Sequence, residues 1–482
     1  MTSARATGPP RPNDRARRVA NTLQIAALGR VERRVPFLPT PIVERLQRRR
    51  VEATVKHAYE TVPFYRRAMT ERGLRPEDFR RASDLSELPL IDGALVQSDP
   101  RQFVSWRYAR SSRQGFHTSG SEAGLRRLVY WDDRALLLEP ARAERSRVVL
   151  NRLAGEAPAR TMLRELAGER APGRLAVVAR VAGDPDGHRR LSIFPADLNS
   201  RTQRAILSQR TLIPRRAAHY DLLSPQDPYE IAADRMDSIR PRIVFSYGSY
   251  ADEFFRYLAD CGRSVALPRL WVFAGDMISQ RGRELAEQLG CRLYSSYSSA
   301  EAGKIGFQCE RTGGFHLNVD LCATCIVGAD GRTAPPGEIG EVVISNLHNR
   351  AMPLLNYRQG DRAALGVEAC GCGRSLPILD RLEGRRSDVV TLADGRRISS
   401  LSLEGLFRVE LRRTRQVQIA HPERGALRWR IVPFADVVEE DLRASLVQRG
   451  RDVLGPDTKV TVELCERIAK TGQGKLLPVV SG

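Results

Sequence analysis

Lysine is scarce in this chain. Only Lys56, Lys304, Lys459, Lys470 and Lys475 occur among 482 residues, so arginine supplies nearly all the positive charge behind a net +20. The arginines are scattered among acids and form no single tract. That argues against nucleic acid as the main partner, though some attraction for anions remains. Long apolar runs are also lacking. No stretch of about 18 residues is free of charge, so no membrane span is expected. The opening segment MTSARATGPPRPNDRARR has no apolar signal core, and a cytoplasmic protein is expected. In that setting the eight cysteines do not imply a disulfide framework, and their spacing matters more than their number.

What is present fits a globular protein: 42% hydrophobic and 28% charged residues. The length calls for a large domain and a smaller one. Residues 1–35, rich in Arg, Pro and Ala, read as a mobile tail. Helical spacing runs through LQRRRVEATVKHAYETV until Pro63, and residues 137–170 also read as helical. LAVVAR, PRIVFSYG and PRLWVFAG are short apolar runs closed by Gly or a turn, as buried strands are. The helix RGRELAEQLG and the strand CRLYSSY complete a β–α–β rhythm, which predicts an α/β fold with parallel strands. From 313 to 365, short strands broken by Gly, Pro and Asn predict a β-rich subdomain. A turn-rich, charged segment near 384 marks a boundary. The expected domains are therefore 36–384, large and α/β, and 385–482, small and α+β.

Several segments stand in a telling order. HAYETVPFYRRAMTERGL with DLSELPLI is followed by TSGSEAG (118–124), FAGD (273–276) and YSSYSSAE (294–301). PPGEIGEVVISNLHNRAMPLLNYRQGD (335–361), CGCGRSLPILDRLEGR (370–385) and KTGQGK (470–475) come next. Together, from about residue 55 to the C-terminus, they resemble the adenylate-forming superfamily, specifically its phenylacetate–coenzyme A ligase branch.

The resemblance implies a large N-terminal adenylate-forming domain, a β-rich subdomain within it, and a small C-terminal lid. The implied activity is ATP-dependent conversion of a carboxylic acid to an acyl-adenylate, with pyrophosphate released. Transfer to coenzyme A follows; an amine acceptor is the close alternative. Thr118, Ser119, Gly120, Ser121 and Gly124 would wrap phosphates with hydroxyls and bare backbone N–H groups. Gly275, Tyr297, Asp361 and Arg385 would seat the nucleotide, with Asp361 accepting both ribose hydroxyls. Glu301 would hold Mg2+, a hard ion that prefers oxygen. Asp388 lies where the family bends between its domains. Lys475 would bridge the carboxylate and the α-phosphate as charge develops.

The chain departs from the family pattern at Glu122 and Ala123, at Leu125, Arg126 and Arg127 in place of the usual Pro and Lys, and at Ala300, which lacks a hydroxyl. These losses favour a second reading, a non-catalytic relative that binds an acyl or nucleotide ligand. The retained Asp361 and Lys475 oppose it. Phe245, Tyr247 and Tyr250 are candidates for a pocket holding an aromatic acid, or else core aromatics.

Cys309, His316, Cys370 and Cys372 form a second constellation. Three thiolates and an imidazole suit a closed structural Zn2+ site, and relatives in this branch carry a similar arrangement. The alternative is a set of reduced thiols. Cys322 and Cys325 imitate a C-x-x-C motif, but three residues apart on a strand they point to opposite faces.

Overall fold

A computed structural model describes residues 12–108, 112–118, 127–155, 190–194, 206–207, 209–212, 220–385 and 388–480. Its centre is an 11-stranded sheet. One half is parallel, with neighbouring strands in the order Tyr220–Leu223, Arg190–Ile193, Ile243–Ser246, Leu270–Ala274 and Arg292–Ser299. The other half continues antiparallel through Gly303–Gln308, Phe315–Leu317, Ile378–Arg385, Tyr357–Leu365, Gly340–Asn346 and Cys322–Val327. The β-rich segment is thus the second half of the same sheet.

The parallel strands read as unbroken apolar runs because both faces are covered. Val244, Trp271 and Phe273 pack under Tyr250, Phe254 and Leu258 of the Gly248–Cys261 helix. Ile243, Leu270 and Val272 face the other way, against Val149. The expected strand LAVVAR lies outside the described residues. Pro63 stops the Thr40–Thr61 helix as predicted, and it also opens the next helix, Pro63–Glu71, since a first-turn proline has no N–H to lose.

The tail reading needs correction. Residues Pro12–Glu32 form a helix, with Thr22, Ile25 and Glu32 buried. Arg145, 1% exposed, ties it down: the guanidinium reaches Glu32 and bonds both oxygens of Asp320 at 2.6 and 2.9 Å. These partners lie more than a hundred residues away in sequence, so local composition does not reveal them.

Beyond Arg385 the packing changes partners. Val390, Leu403, Phe407, Ile419, Trp429, Ile431 and Leu446 form their own apolar cluster. It lies on a four-stranded sheet ordered Lys459–Leu464, Ala426–Pro433, Thr414–Ala420, Val479–Val480. The Ser400–Leu406 and Glu439–Leu454 helices belong to the same α+β unit. Among the described residues, no helix is long and apolar enough to cross a membrane.

Removing one partner from a buried ion network leaves a charge uncompensated, at a cost of about 3–5 kcal/mol. Arg145→Ala is expected to lose stability on that scale in denaturant unfolding. A loss below about 1 kcal/mol would contradict the structural role given to this arginine.

Candidate active site

Open α/β sheets gather ligands at the carboxyl ends of their parallel strands. Here the Ile243–Ser246 strand runs into Tyr247, the Leu270–Ala274 strand into Gly275, and the Arg292–Ser299 strand carries Tyr297 and leads to Glu301. The C-terminal domain closes over this edge. The resulting cleft is lined from the sheet side by Gly275, Tyr297, Asp361 and Arg385, and from the other side by Gln416 and Lys475.

Asp361 and Arg385 are register partners on adjacent antiparallel strands, which sets their side chains 3.8 Å apart. The Tyr297 hydroxyl donates to the other Asp361 oxygen at 2.8 Å. Burial pushes the Asp361 carboxyl above its ordinary range, and Arg385 and the tyrosine hydroxyl pull it back. Tyr297 itself is held well above its usual value by burial and by Asp361. Arg386, the other arginine of this motif, lies outside the described residues.

Lys475 is 2% exposed although it belongs to the C-terminal domain. Its ammonium donates to the Gly275 carbonyl at 2.7 Å and sits 4.6 Å above the centre of the Tyr247 ring. The KTGQGK segment is a turn closed on one threonine. Thr471 N–H donates to Lys475 O at 2.8 Å, Gly474 N–H to Thr471 O at 2.8 Å, and Lys475 N–H to Thr471 Oγ1 at 3.2 Å. Gly275 has φ +88°, a left-handed conformation that favours glycine, and a Cβ there would lie 3.1 Å from the lysine Nζ, which would have to give way by a few tenths of an ångström. Burial lowers the Lys475 amine to about 8; Asp276 works against that shift, Arg385 adds to it, and Asp361 and Asp388 oppose it.

Glu301 is buried and accepts from the Tyr357 hydroxyl at 3.1 Å; Arg127 Nη1 meets the same hydroxyl at 3.3 Å. The sequence alone does not point to this contact of Tyr357 and Arg127, though Tyr357 opens the YRQGD motif. Asp388 lines the cleft at the junction between the two domains. Thr118 is described, and its hydroxyl accepts from Arg127 N–H at 3.1 Å. Ser119, Gly120, Ser121 and Gly124, with Glu122 and Ala123, lie outside the described residues.

The three aromatic candidates separate. Tyr247 reaches the site, its ring edge-on to Phe194 at 4.9 Å. Tyr250 does not: it is fully buried against Tyr229 and Phe254, because it lies on the helix face turned to the sheet. Phe245 packs on the opposite face, with the Val149 cluster.

Away from the cleft, the ligand atoms of Cys309, His316, Cys370 and Cys372 all lie within 4.8 Å of one another. His316 Nδ1 sits 3.1 Å from Leu376 O, leaving Nε2 facing Cys372 Sγ at 3.2 Å. An imidazole anchored through one nitrogen presents the other to a metal. Cys322 and Cys325 take no part in this cluster.

No family model matches the chain. Among characterised proteins it is similar to the phenylacetate–coenzyme A ligase of Thermus thermophilus, 25% identical over 362 residues, 74% of this chain and 73% of that one. The corresponding ligase of Escherichia coli is 25% identical over 73% of this chain and 72% of its own. Among solved structures, 2-hydroxyisobutyryl-CoA ligase with 2-HIB-AMP in the postadenylation state superposes with a TM-score of 0.67 at 17% identity, covering 93% of this chain and 91% of that one. Its open conformation with 2-HIB-AMP and CoA gives 0.53 at 18% identity, covering 93% and 94%. The chain therefore shares the fold of 2-hydroxyisobutyryl-CoA ligase. In sequence the chain is most readily compared with the phenylacetate–coenzyme A ligases, to which it is similar over about three quarters of its length.

A lysine held at about 8, against 10.5 in water, costs the folded state roughly 3 kcal/mol while it is protonated. The sign follows. Below pH 8 the cost is full, between about 8 and 10.5 stability rises with pH, and above that range the cost is gone. Lys475→Met is expected to raise the unfolding temperature at pH 7 and to flatten this rise. An unchanged slope between pH 8 and 10.5 would contradict the desolvated amine.

Proposed function

We propose that the chain activates a carboxylic acid with ATP as an acyl-adenylate and then transfers the acyl group to coenzyme A. The observation that carries this reading is Lys475, delivered by the C-terminal domain to the Gly275 carbonyl beside the Tyr297–Asp361–Arg385 group. A merely binding cleft has no use for an ammonium stripped of water on a separate domain.

In the first step a carboxylate oxygen attacks the α-phosphorus, and the bond to the pyrophosphate oxygen breaks. Negative charge gathers between the acid and the phosphoryl group. The Lys475 ammonium neutralises it from a buried position, where such an interaction is stronger than in water. Asp361 accepts the ribose hydroxyls, Arg385 holds Asp361 in place, and Gly275 lets the nucleotide approach the backbone. Glu301, oriented by the Tyr357 hydroxyl, fits Mg2+ together with nucleotide phosphates and water; bound there, Mg2+ would offset phosphate charge. In the second step the thiol sulfur attacks the acyl carbonyl, the acyl–phosphate bond breaks, AMP leaves and the thiol proton passes to solvent. Asp388 is the bend about which the lid would turn between steps. Tyr247 and Phe194 offer an aromatic wall beside the lysine, and an aromatic acid is the proposed substrate class.

The cysteine–histidine cluster fits structural Zn2+ through three sulfurs and His316 Nε2. Its role is to fasten Cys309 to the 370–372 turn, with no part in the chemistry.

Screening aromatic, amino and fatty acids should find carboxylate-dependent pyrophosphate release, followed by thioester formation when CoA is added. Lys475→Ala is expected to slow adenylation by about 10²–10³-fold, the loss typical of a transition-state donor, with the fold intact. An unchanged rate refutes the assignment. Because the protonated amine is the active form, kcat/KM for ATP is expected to fall as pH rises through about 8. A profile that keeps rising to pH 9 contradicts it. Metal analysis should find about one zinc per chain, lost in Cys372→Ser; metal-free protein with four reactive thiols removes the zinc site.

A further inference from the structure

The Gly248–Cys261 helix begins beside Tyr247, under the Lys475 ammonium, and then runs along the C-terminal domain. One of its faces grips the first residues of that domain's Thr414–Ala420 strand. Arg256 donates to Thr414 O at 3.1 Å, to Thr414 Oγ1 at 2.9 Å and to Leu411 O at 3.3 Å. Arg415 pairs with Asp260. Gln416 Nε2 donates to Glu253 Oε2 at 2.6 Å.

Glu253 is the centre of this contact. Its side chain is 2% exposed, and Lys470, 9% exposed, lies 3.3 Å from its second oxygen. The Tyr229 hydroxyl donates to Glu253 at 2.7 Å and receives the Lys470 ammonium at 2.8 Å. That ammonium also sits 4.9 Å from the centre of the Tyr229 ring and 5.5 Å from that of Tyr250. Gln416 Oε1 accepts from Ile468 N–H at 2.8 Å, tying the strand to the segment that enters the KTGQGK turn. Lys470 opens that turn and Lys475 closes it on Thr471, so whatever fixes Lys470 fixes the approach of Lys475.

We propose that Glu253 and Lys470 are positioning residues. Their pair holds the C-terminal domain in the orientation that delivers Lys475 to Gly275, and so supports the adenylation step and not the acyl transfer that follows. The proposal rests on the adenylate-forming reading above. The C-terminal domain has its own apolar cluster around Phe407, Trp429 and Leu446, separate from this contact. Turning that domain away would return both charges to water. The pair is therefore reversible: a buried ion pair separated into solvent loses far less than one stripped of a partner.

Lys470→Met and Glu253→Gln are to be measured in each half-reaction separately. ATP–pyrophosphate exchange is expected to fall at least tenfold in kcat, with KM for ATP changed less than threefold. Conversion of supplied acyl-adenylate and CoA to thioester should stay within twofold of the unmodified protein, and Lys470→Arg should recover a third or more of the exchange rate. Hydrogen exchange of residues 468–476 should quicken about tenfold, while residues 426–433 keep their protection. Equal losses in both half-reactions, or unchanged protection at 468–476, overturn the proposal. Should Lys470→Met fail to fold, Glu253→Gln carries both readouts. If the unmodified protein exchanges no pyrophosphate with any acid, the functional reading fails, and the hydrogen-exchange arm still decides the positioning role.

Discussion

A buried ammonium is the constraint around which this molecule is organised. A lysine nitrogen buried to 2% exposure needs acceptors, and Lys475 finds them on the domain opposite its own. The Gly275 carbonyl, the face of the Tyr247 ring and the field of Asp276, Asp361 and Asp388 all belong to the large domain or its junction. The site is complete only while the two domains meet. A positive charge held there at low dielectric is also what a dissociating pyrophosphate and an attacking carboxylate require.

The sheet explains how so many distant residues converge. Its direction changes between the Arg292–Ser299 and Gly303–Gln308 strands. The parallel side delivers Tyr247, Gly275 and Tyr297 at strand ends. The antiparallel side turns Tyr357 and Asp361 toward them from one face of a strand, four residues apart, with Arg385 supplied by the neighbouring strand. The three carboxylates near the lysine, Asp276, Asp361 and Asp388, come from different segments, and none of them would define a site alone.

Much of this was legible in the sequence, for a physical reason. Contacts that act through backbone geometry force particular residues at fixed spacing, as in FAGD, YRQGD and KTGQGK, so Gly275, Asp361 and Lys475 are visible as motifs. The parallel strands announce themselves as apolar runs because they are buried on both faces. Long-range ionic contacts leave no such trace. Glu32 and Arg145 are unremarkable in sequence, and the N-terminal helix they secure reads as a tail. Aromatic residues are equally ambiguous. Tyr247 and Tyr250 stand three places apart, yet one faces the cleft and the other the core, because the helix begins between them. Glu253 and Lys470 give no local signal either, since their meaning lies in the meeting of two domains.

In the proposed mechanism the cleft brings an acid's carboxylate oxygen to the innermost phosphorus of ATP. An accepted acid labelled with 18O in its carboxyl group tests it most directly. One labelled oxygen should appear in the AMP released with each thioester formed. Label absent from AMP, or found instead in pyrophosphate or inorganic phosphate, would contradict it.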